Sequence, residues 1–421
     1  FISNQNPYAE LDMSAAPRLR AVFVSTLVYC ADFYGTVLAR LLKFHADRGA
    51  LVHVVTTEYM MLPKDRRLLH SLAAQSGNFR LQEFRYYDPD SLITKPLRYI
   101  DSKYRDMHIK MFVTLSAERE QDNRIILGGR NVHDGFLFTT KPDHAKYPSL
   151  VQYGTDDDFV HWNDFEMMVT SRELAALSFA HLMNFWNRDA YTQKVQPFAE
   201  DTSTTANANA TTDADKAPAN GASLASPQLS ATAKFAKVQS PAQMREFFSI
   251  PYNDGQTLEE LYVSLIDRAK SKIELSTPYL RPTKMIMRAL DRAALRNVDI
   301  TIQTRISLAG DTQAWLYEEV NKESINRLVK KVKIYEWKEN SILHSKFILI
   351  DGKVGFLGSV NLSRRSFIQD IENGWVIRDP KFVSEMSALF QTYLAKSVLV
   401  SEAQARKWFP SLLIQILQNQ F

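Results

Sequence analysis

Two histidine and lysine pairs carry the chemistry of this sequence. In the carboxy-terminal half His344 and Lys346 stand two residues apart, followed by Asp351 and then by Gly358, Ser359 and Asn361. Residues 347–350 and 354–357 have the β-branched and aromatic composition of strands, and Asp351-Gly352 between them is a hairpin turn signal. Side chains two apart on an extended chain share a face, so His344 and Lys346 point together. The hairpin returns Gly358, Ser359 and Asn361 beside them. This set suits phosphoryl chemistry: an imidazole to attack or to protonate, an ammonium and an amide for the non-bridging oxygens, and a glycine for close backbone approach. Asp351 at the turn is expected to fix the hairpin rather than touch substrate.

The amino-terminal half holds a looser version. His108 and Lys110 precede a strand over residues 111–115, a polar turn over 116–123, a strand over 124–127, and then Gly128, Gly129, Arg130 and Asn131. The turn is longer, and Asp122 is only an approximate counterpart of Asp351.

A reactive imidazole needs its second nitrogen held, usually by a carboxylate, to fix tautomer and basicity. Asp164 and Glu372 each stand just before the closing strand of their half and are the expected holders; Glu166 and Asp370 are weaker candidates. Two histidines in different protonation states suit two steps. One attacks phosphorus as the neutral base while the other protonates the leaving oxygen, and the second then activates an incoming water or alcohol.

The elements that must position these residues repeat along the chain. Residues 21–24, 35–48 and 51–55 read as strand, helix and strand, as do 273–275, 284–296 and 298–303. Each half therefore opens with a β-α-β unit, whose crossover implies parallel strands. Each half closes with a strand and an amphipathic helix, at 167–170 with 174–186 and at 375–377 with 382–393. Two α/β domains packed face to face would bring the two His-x-Lys pairs together. Between them the composition changes: residues 196–243 are rich in Ala, Ser, Thr, Asn and Pro and read as a disordered linker, leaving domains at 1–195 and 244–421.

Composition narrows the class. With 421 residues, 45% hydrophobic and 23% charged, the chain can fill two or three cores, which excludes a mainly disordered or fibrous protein. A formal charge of +4 is too small to require a nucleic-acid partner. Cys30 is the only cysteine, so no intrachain disulfide or cysteine-based zinc site is expected. The other histidines, at 45, 53, 70, 133, 144, 161 and 181, lack metal-ligand spacing and read as structural, and neither metal nor cofactor is expected. Trp162, Trp186, Trp315 and Trp337 read as core or pocket wall. Tyr29 and Tyr279, at equivalent ends of the opening strands, are candidates for the site rim.

Two His-x-Lys motifs, one running on to Asp and Gly-Ser-x-Asn, resemble the phospholipase D superfamily. Gly128 to Asn131, Trp162 to Asp164, Phe185 to Asn187, Asn361 to Ser366 and Glu372 to Ile377 are similar to its bacterial cardiolipin synthase branch. The resemblance covers nearly all of the chain outside the linker. It implies an α/β fold of two pseudo-equivalent α-β-α sandwich domains sharing one interfacial active site, without metal, and a phosphatidyl-histidine intermediate. On this chain it places the nucleophile and the acid/base on His108 and His344 and phosphate contacts on Lys110, Lys346, Asn131 and Asn361, with Gly129 and Ser359 beside them. Asp164 and Glu372 would orient the histidines.

The activity so implied is phosphatidyl transfer from a phospholipid to a lipid or alcohol hydroxyl. A hydrolytic phospholipase D uses the same residues, and a phosphodiesterase nuclease is disfavoured by the near-neutral charge. A phospholipid substrate and a peripheral place on a membrane surface, in a bacterial envelope or secreted, follow as expectations. No apolar run of about 18 uncharged residues is present to span a bilayer. Contact with lipid is expected instead from residues 85–100 or from the apolar segment 408–417.

Overall fold

A computed structural model describes residues 11–86, 105–143, 159–187, 193–197, 243–251, 255–306 and 314–401. The expected linker from 198 to 242, residues 87–100, His144 and the segment 408–417 lie outside these, as does the side chain of Trp315.

The amino-terminal sheet is built from β1 (Ala21–Ser25), β2 (Leu51–Thr57), β3 (Phe79–Tyr86), β4 (Met111–Leu115), β5 (Arg124–Gly128), β7 (Glu166–Thr170) and β8 (Gln193–Pro197), in the order β7-β5-β4-β1-β2-β3-β8. A two-residue strand, β6 (Trp162–Asn163), stands apart from it. The carboxy-terminal sheet uses β9 (Gln243–Ser249), β10 (Lys272–Ser276), β11 (Asp299–Thr304), β12 (Lys333–Trp337), β14 (Phe347–Ile350), β15 (Val354–Gly358), β16 (Glu372–Arg378) and β17 (Ser397–Leu399). Its order is β17-β12-β11-β10-β14-β15-β16-β9. Strand for strand, and in parallel or antiparallel sense, this repeats the first sheet with β9 added at one edge. The expected β-α-β openings are present, with β1 parallel to β2 and β10 parallel to β11.

Helices cover both faces of each sheet. On the first, α1 (Phe33–Asp47) and α2 (Pro63–Gln75) bury Leu38, Leu42, Leu68 and Leu72 against Val22, Val24, Val52 and Val54. The short α3 (Asp134–Leu137) follows β5, and α4 (Arg172–Trp186) packs on the opposite face. On the second sheet α5 (Thr257–Arg268), α6 (Lys284–Leu295) and Ile325 and Leu328 of α7 (Ala314–Leu328) enclose Ile273, Leu275, Ile348 and Ile350. The one-turn α8 (Arg364–Ile368) precedes β16, and α9 (Pro380–Leu394) covers the other face.

Alternation along the strands decides which core each residue enters. Phe23 points away from Val22 and Val24, and Phe347 and Leu349 away from Ile348 and Ile350, into a third cluster. That cluster joins the halves: Leu182 and Phe185 of α4 lie in it with Trp375, Val383 and Phe390 from β16 and α9. Trp375 is fully buried there, so truncation to alanine would cost about 3–5 kcal/mol.

Helix starts are fixed by side-chain caps that satisfy the first orphan N–H groups. Asp32 accepts from the Gly35 N–H and Thr283 from that of Ile286, at corresponding places after β1 and β10. Asp379 caps α9 with Pro380 at its first turn. The stretch expected as linker, 196–243, loses its ends to ordered structure, since β8 runs to Pro197 and β9 starts at Gln243.

Candidate active site

Each histidine is gripped by the half it does not belong to. The two-residue strand β13 (Ile342–Leu343) pairs with β6, and an isolated bridge joins Met107 to Ile371. These contacts deliver the backbone N–H of His344 to the carbonyl of Asn163 at 2.9 Å, and that of His108 to the carbonyl of Ile371 at 2.9 Å. The next residue in each case is the carboxylate. Nδ1 of His108 lies 3.0 and 2.9 Å from the two oxygens of Glu372, and Nδ1 of His344 lies 2.7 Å from Oδ2 of Asp164. Nδ1–H donation to an ionised carboxylate leaves Nε2 of each ring for chemistry.

Both histidines line a cavity of about 320 Å³, together with Asn131 and Asn361. Asn131 Oδ1 lies 3.4 Å from the Val28 N–H nitrogen, while Asn361 Oδ1 is buried with no hydrogen-bond partner. Lys110 and Lys346 stand directly behind this wall rather than on it. Lys110 Nζ donates to the carbonyl of His108 at 3.1 Å. Lys346 Nζ donates to the carbonyl of His344, and lies 2.8 Å from His344 Nδ1 and 3.8 Å from Asp164.

Two residues expected to touch phosphate support the carboxylates instead. Ser359 is fully buried; its hydroxyl donates to Glu372 and accepts the Asn373 N–H at 3.0 Å. At the matching place Gly129 supplies room: a Cβ there would lie 2.2 Å from Oδ2 of Asp164 and 3.0 Å from Nζ of Lys346. Of the weaker acidic candidates, Glu166 lies 3.8 Å from Arg130, and Asp370 3.2 Å from Arg365, so neither orients a histidine. Both turn residues are structural. Asp122 takes a two-pronged contact from Arg119 at 2.7 and 3.0 Å, and Asp351, at φ 53°, accepts the N–H groups of Lys270, Ser271 and Lys272.

Burial sets the electrostatics. It holds both imidazoles well below their ordinary pKa, helped by the adjacent lysine charges, so both rest neutral. It pushes Asp164 up to about 6 and Glu372 to about 7, against the pull of Lys346 and Lys110. It draws Lys110 down to about 8 and Lys346 to about 7. A cluster whose members change charge this close to neutrality is suited to moving protons.

Several wall residues were not anticipated. His133, read as structural, lines the cavity, and its Nδ1 also accepts the Gly135 N–H at 2.9 Å as the cap of α3. Trp162, expected in the core or the pocket wall, does line the cavity, stacked on Phe136 at 5.1 Å, with both rings edge-on to His344 at 5.1 and 4.9 Å. Of the paired tyrosines, Tyr279 lines the cavity, whereas Tyr29 is fully buried and donates to the Gly35 carbonyl. Arg281, Arg365, Asp106 and Tyr59 also line the cavity. Arg365 is committed to Asp370 and, across the halves, to Asp106, which also accepts from Tyr59 at 2.5 Å.

Among the described residues one group of metal-ligand types converges: Cys30, Asp32 and His133. Asp32 and His133 are both engaged in capping. Oδ1 of Asp32 accepts from Gly35 and Oδ2 from Asp134, and Nδ1 of His133 accepts from Gly135, which leaves its Nε2 protonated in the neutral ring.

Residues 262–394 match the family model described as "Cardiolipin synthase, PLD-like domain". Among curated proteins the chain is similar to cardiolipin synthase A of Serratia proteamaculans, 28% identical over 36% of this chain and 30% of that one. It is likewise similar to cardiolipin synthase A of Erwinia tasmaniensis, 31% identical over 36% and 30%. The match thus spans about 30% of the length of these relatives. Among solved structures, the phosphatidylserine synthase of Haemophilus influenzae aligns with a TM-score of 0.62 at 13% identity, covering 95% of this chain and 87% of that one, a likeness of fold.

Proposed function

For a chain that belongs to the phospholipase D superfamily and is cardiolipin synthase-like, we propose a phosphatidyltransferase with two pseudo-equivalent domains sharing one site. The observation that carries the proposal is the pair of histidines on one cavity wall, each with Nδ1 held by a carboxylate from the other half. One Nε2 attacks the phosphorus of a phospholipid, and a P–N bond forms as the P–O bond to the headgroup breaks; the other histidine, which takes up a proton on Nε2 beside the anionic phosphodiester before this step, gives that proton to the leaving oxygen. In the second step that same histidine takes the proton of an acceptor hydroxyl, whose oxygen forms the new P–O bond as P–N breaks.

Asn131 and Asn361 hold the non-bridging oxygens through their Nδ2 amide donors. Lys110 and Lys346 supply positive charge from behind, where low local dielectric makes it count. Trp162 and Phe136 shield the His344 side of the cavity from water, which favours an alcohol or lipid hydroxyl over hydrolysis. With such a substrate we propose a peripheral enzyme of a membrane surface, in a bacterial envelope or secreted. Among the described residues no helix is long and apolar enough to cross a bilayer.

The test is mass spectrometry of lipids after incubation with phosphatidylglycerol and phosphatidylethanolamine vesicles, with and without a primary alcohol. Cardiolipin or a phosphatidyl-alcohol, lost in His108→Ala and in His344→Ala, is the expected product. Phosphatidic acid alone would make the protein a hydrolase, and comparable turnover in either folded histidine variant would refute the two-histidine scheme.

A further inference from the structure

The two halves correspond closely enough around the cavity to compare position by position. Thr26 and Thr277 each donate to the carbonyl two residues on, Val28 and Tyr279. The N–H of Cys30 reaches the carbonyl of Val132 at 2.8 Å, and the N–H of Arg281 that of Leu362 at 2.7 Å; both acceptors directly follow the asparagines. Two residues further, Asp32 and Thr283 cap their helices. Arg281 is therefore the counterpart of Cys30. One half has a small buried thiol outside the cavity lining, and the other has a guanidinium on the cavity wall.

Arg281 as a whole is only 9% exposed, and its Nη1 is buried with no hydrogen-bond partner. No carboxylate of the described residues pairs with it; Glu323, its strongest favourable charge, is engaged by Arg327 at 2.6 Å. The other cation on the wall, Arg365, is neutralised by Asp106 and Asp370. A buried arginine without an anion is costly, and the chemistry it fits is a phosphate taken through its fork of donors. Burial lowers its pKa only to about 10, so the charge persists at neutral pH.

Resting on the reading of the site as a phosphatidyltransferase, we infer that Arg281, with Tyr279, Asn321 and Ser363 beside it on the same wall, forms a second anion subsite that selects acceptor alcohols carrying a phosphate of their own. The reacting phosphodiester occupies the histidines and asparagines, and the acceptor's phosphate sits on Arg281 with its hydroxyl towards the site. The phosphate comes from a lipid headgroup or from a soluble phosphomonoester, and the two sources are separable by experiment.

The full chain is given phosphatidylethanolamine vesicles and two acceptor pairs, glycerol against glycerol 3-phosphate and diacylglycerol against phosphatidylglycerol. The readout is the ratio of kcat/KM within each pair, for the wild type, Arg281→Gln and Arg281→Lys. The expected result is a preference for the phosphate-bearing member, in the soluble pair, the lipid pair or both, that falls at least about tenfold in Arg281→Gln and partly survives in Arg281→Lys. The pair showing it identifies the source. An unchanged ratio in Arg281→Gln overturns the subsite, including the case in which all acceptors fall together because Arg281 serves the reacting phosphate. If the wild type cleaves no phospholipid, the transferase reading fails on its own. Calorimetric titration with inorganic phosphate then decides the subsite: weaker binding in Arg281→Gln than in Arg281→Lys supports it, and equal binding by wild type and Arg281→Gln overturns it.

Discussion

Glu372→Gln tests the cross-half grip most directly. The carboxylate is fully buried, lies 2.9 and 3.0 Å from Nδ1 of His108, and acts on substrate only through that ring, so it is a positioning residue. When the imidazole gains charge, a carboxylate at about 3 Å in an effective dielectric of about 20 stabilises it by about 5 kcal/mol. Losing that would slow turnover by about 10³–10⁴-fold, and because glutamine keeps one acceptor we expect a loss in kcat/KM of about 10³-fold. A defect in packing would also lower a rate, so the pH profile is the deciding readout. Burial raises Glu372 from its ordinary 4.5 to about 7, and below that point it takes up a proton and no longer stabilises the charged ring. The wild type therefore loses activity as pH falls through about 7, whereas in Glu372→Gln this limb vanishes and the remaining acid limb belongs to Asp164, near 6. Stability moves the other way. A carboxyl whose folded pKa is raised destabilises the fold increasingly as pH climbs from 4.5 towards 7, so the glutamine variant should melt no lower than wild type at neutral pH. A variant within tenfold of wild type, or one that keeps the same acid limb, would refute the reasoning.

The wild-type profile of kcat/KM should be a narrow bell with its maximum at about pH 7. Asp164 and Glu372 protonate on its acid side, and Lys346 and Lys110, at about 7 and about 8, discharge on its alkaline side; a flat profile from about pH 5 to about pH 9 would contradict the assignment. Gly129→Ala places a Cβ 2.2 Å from Asp164, which should cost about 1–3 kcal/mol in urea unfolding and most of the activity, and wild-type values in both would remove the glycine from the site. Asp351→Ala should cost about 1–2 kcal/mol through the loss of three N–H contacts and a left-handed residue suited to the turn, with turnover unchanged in the folded fraction. Burial alone would raise this carboxyl, but the three N–H groups outweigh it and hold it below its ordinary value. Its contribution is therefore present above the unfolded pKa and lost as pH falls through the folded one, so the deficit of Asp351→Ala seen at neutral pH should close in acid. A deficit that persists there would count against it.

Local patterns made much of this legible. The hairpins after His108 and His344, the β-α-β openings and the closing strand and helix pairs all rest on periodicity and turn chemistry within a few residues. Edge strands were less visible. β9 has the sequence QMREFFS, without clean alternation, and exists because β16 offers it an edge 129 residues further on. Within the site, the two carboxylates could be picked out by position, but no spacing says that Glu372 serves His108 rather than His344; that follows from how two sheets meet. Ser359 resembled a phosphate ligand because it lies in the motif beside Asn361, yet alternation after β15 turns its hydroxyl inward to Glu372. His133 and Arg281 gave no signal, since each owes its place on the wall to a cap or a loop contact that pairs distant segments.

The exchange of carboxylates between halves also has a consequence in time. His108 emerges from a ribosome 264 residues before Glu372, an interval of about 13–53 s at about 5–20 residues per second. Throughout it the first half has no partner for its imidazole and no second histidine to supply a proton. A nascent chain would thus be chemically silent until Glu372 had been made, and a product truncated before that residue would be inert rather than half-competent.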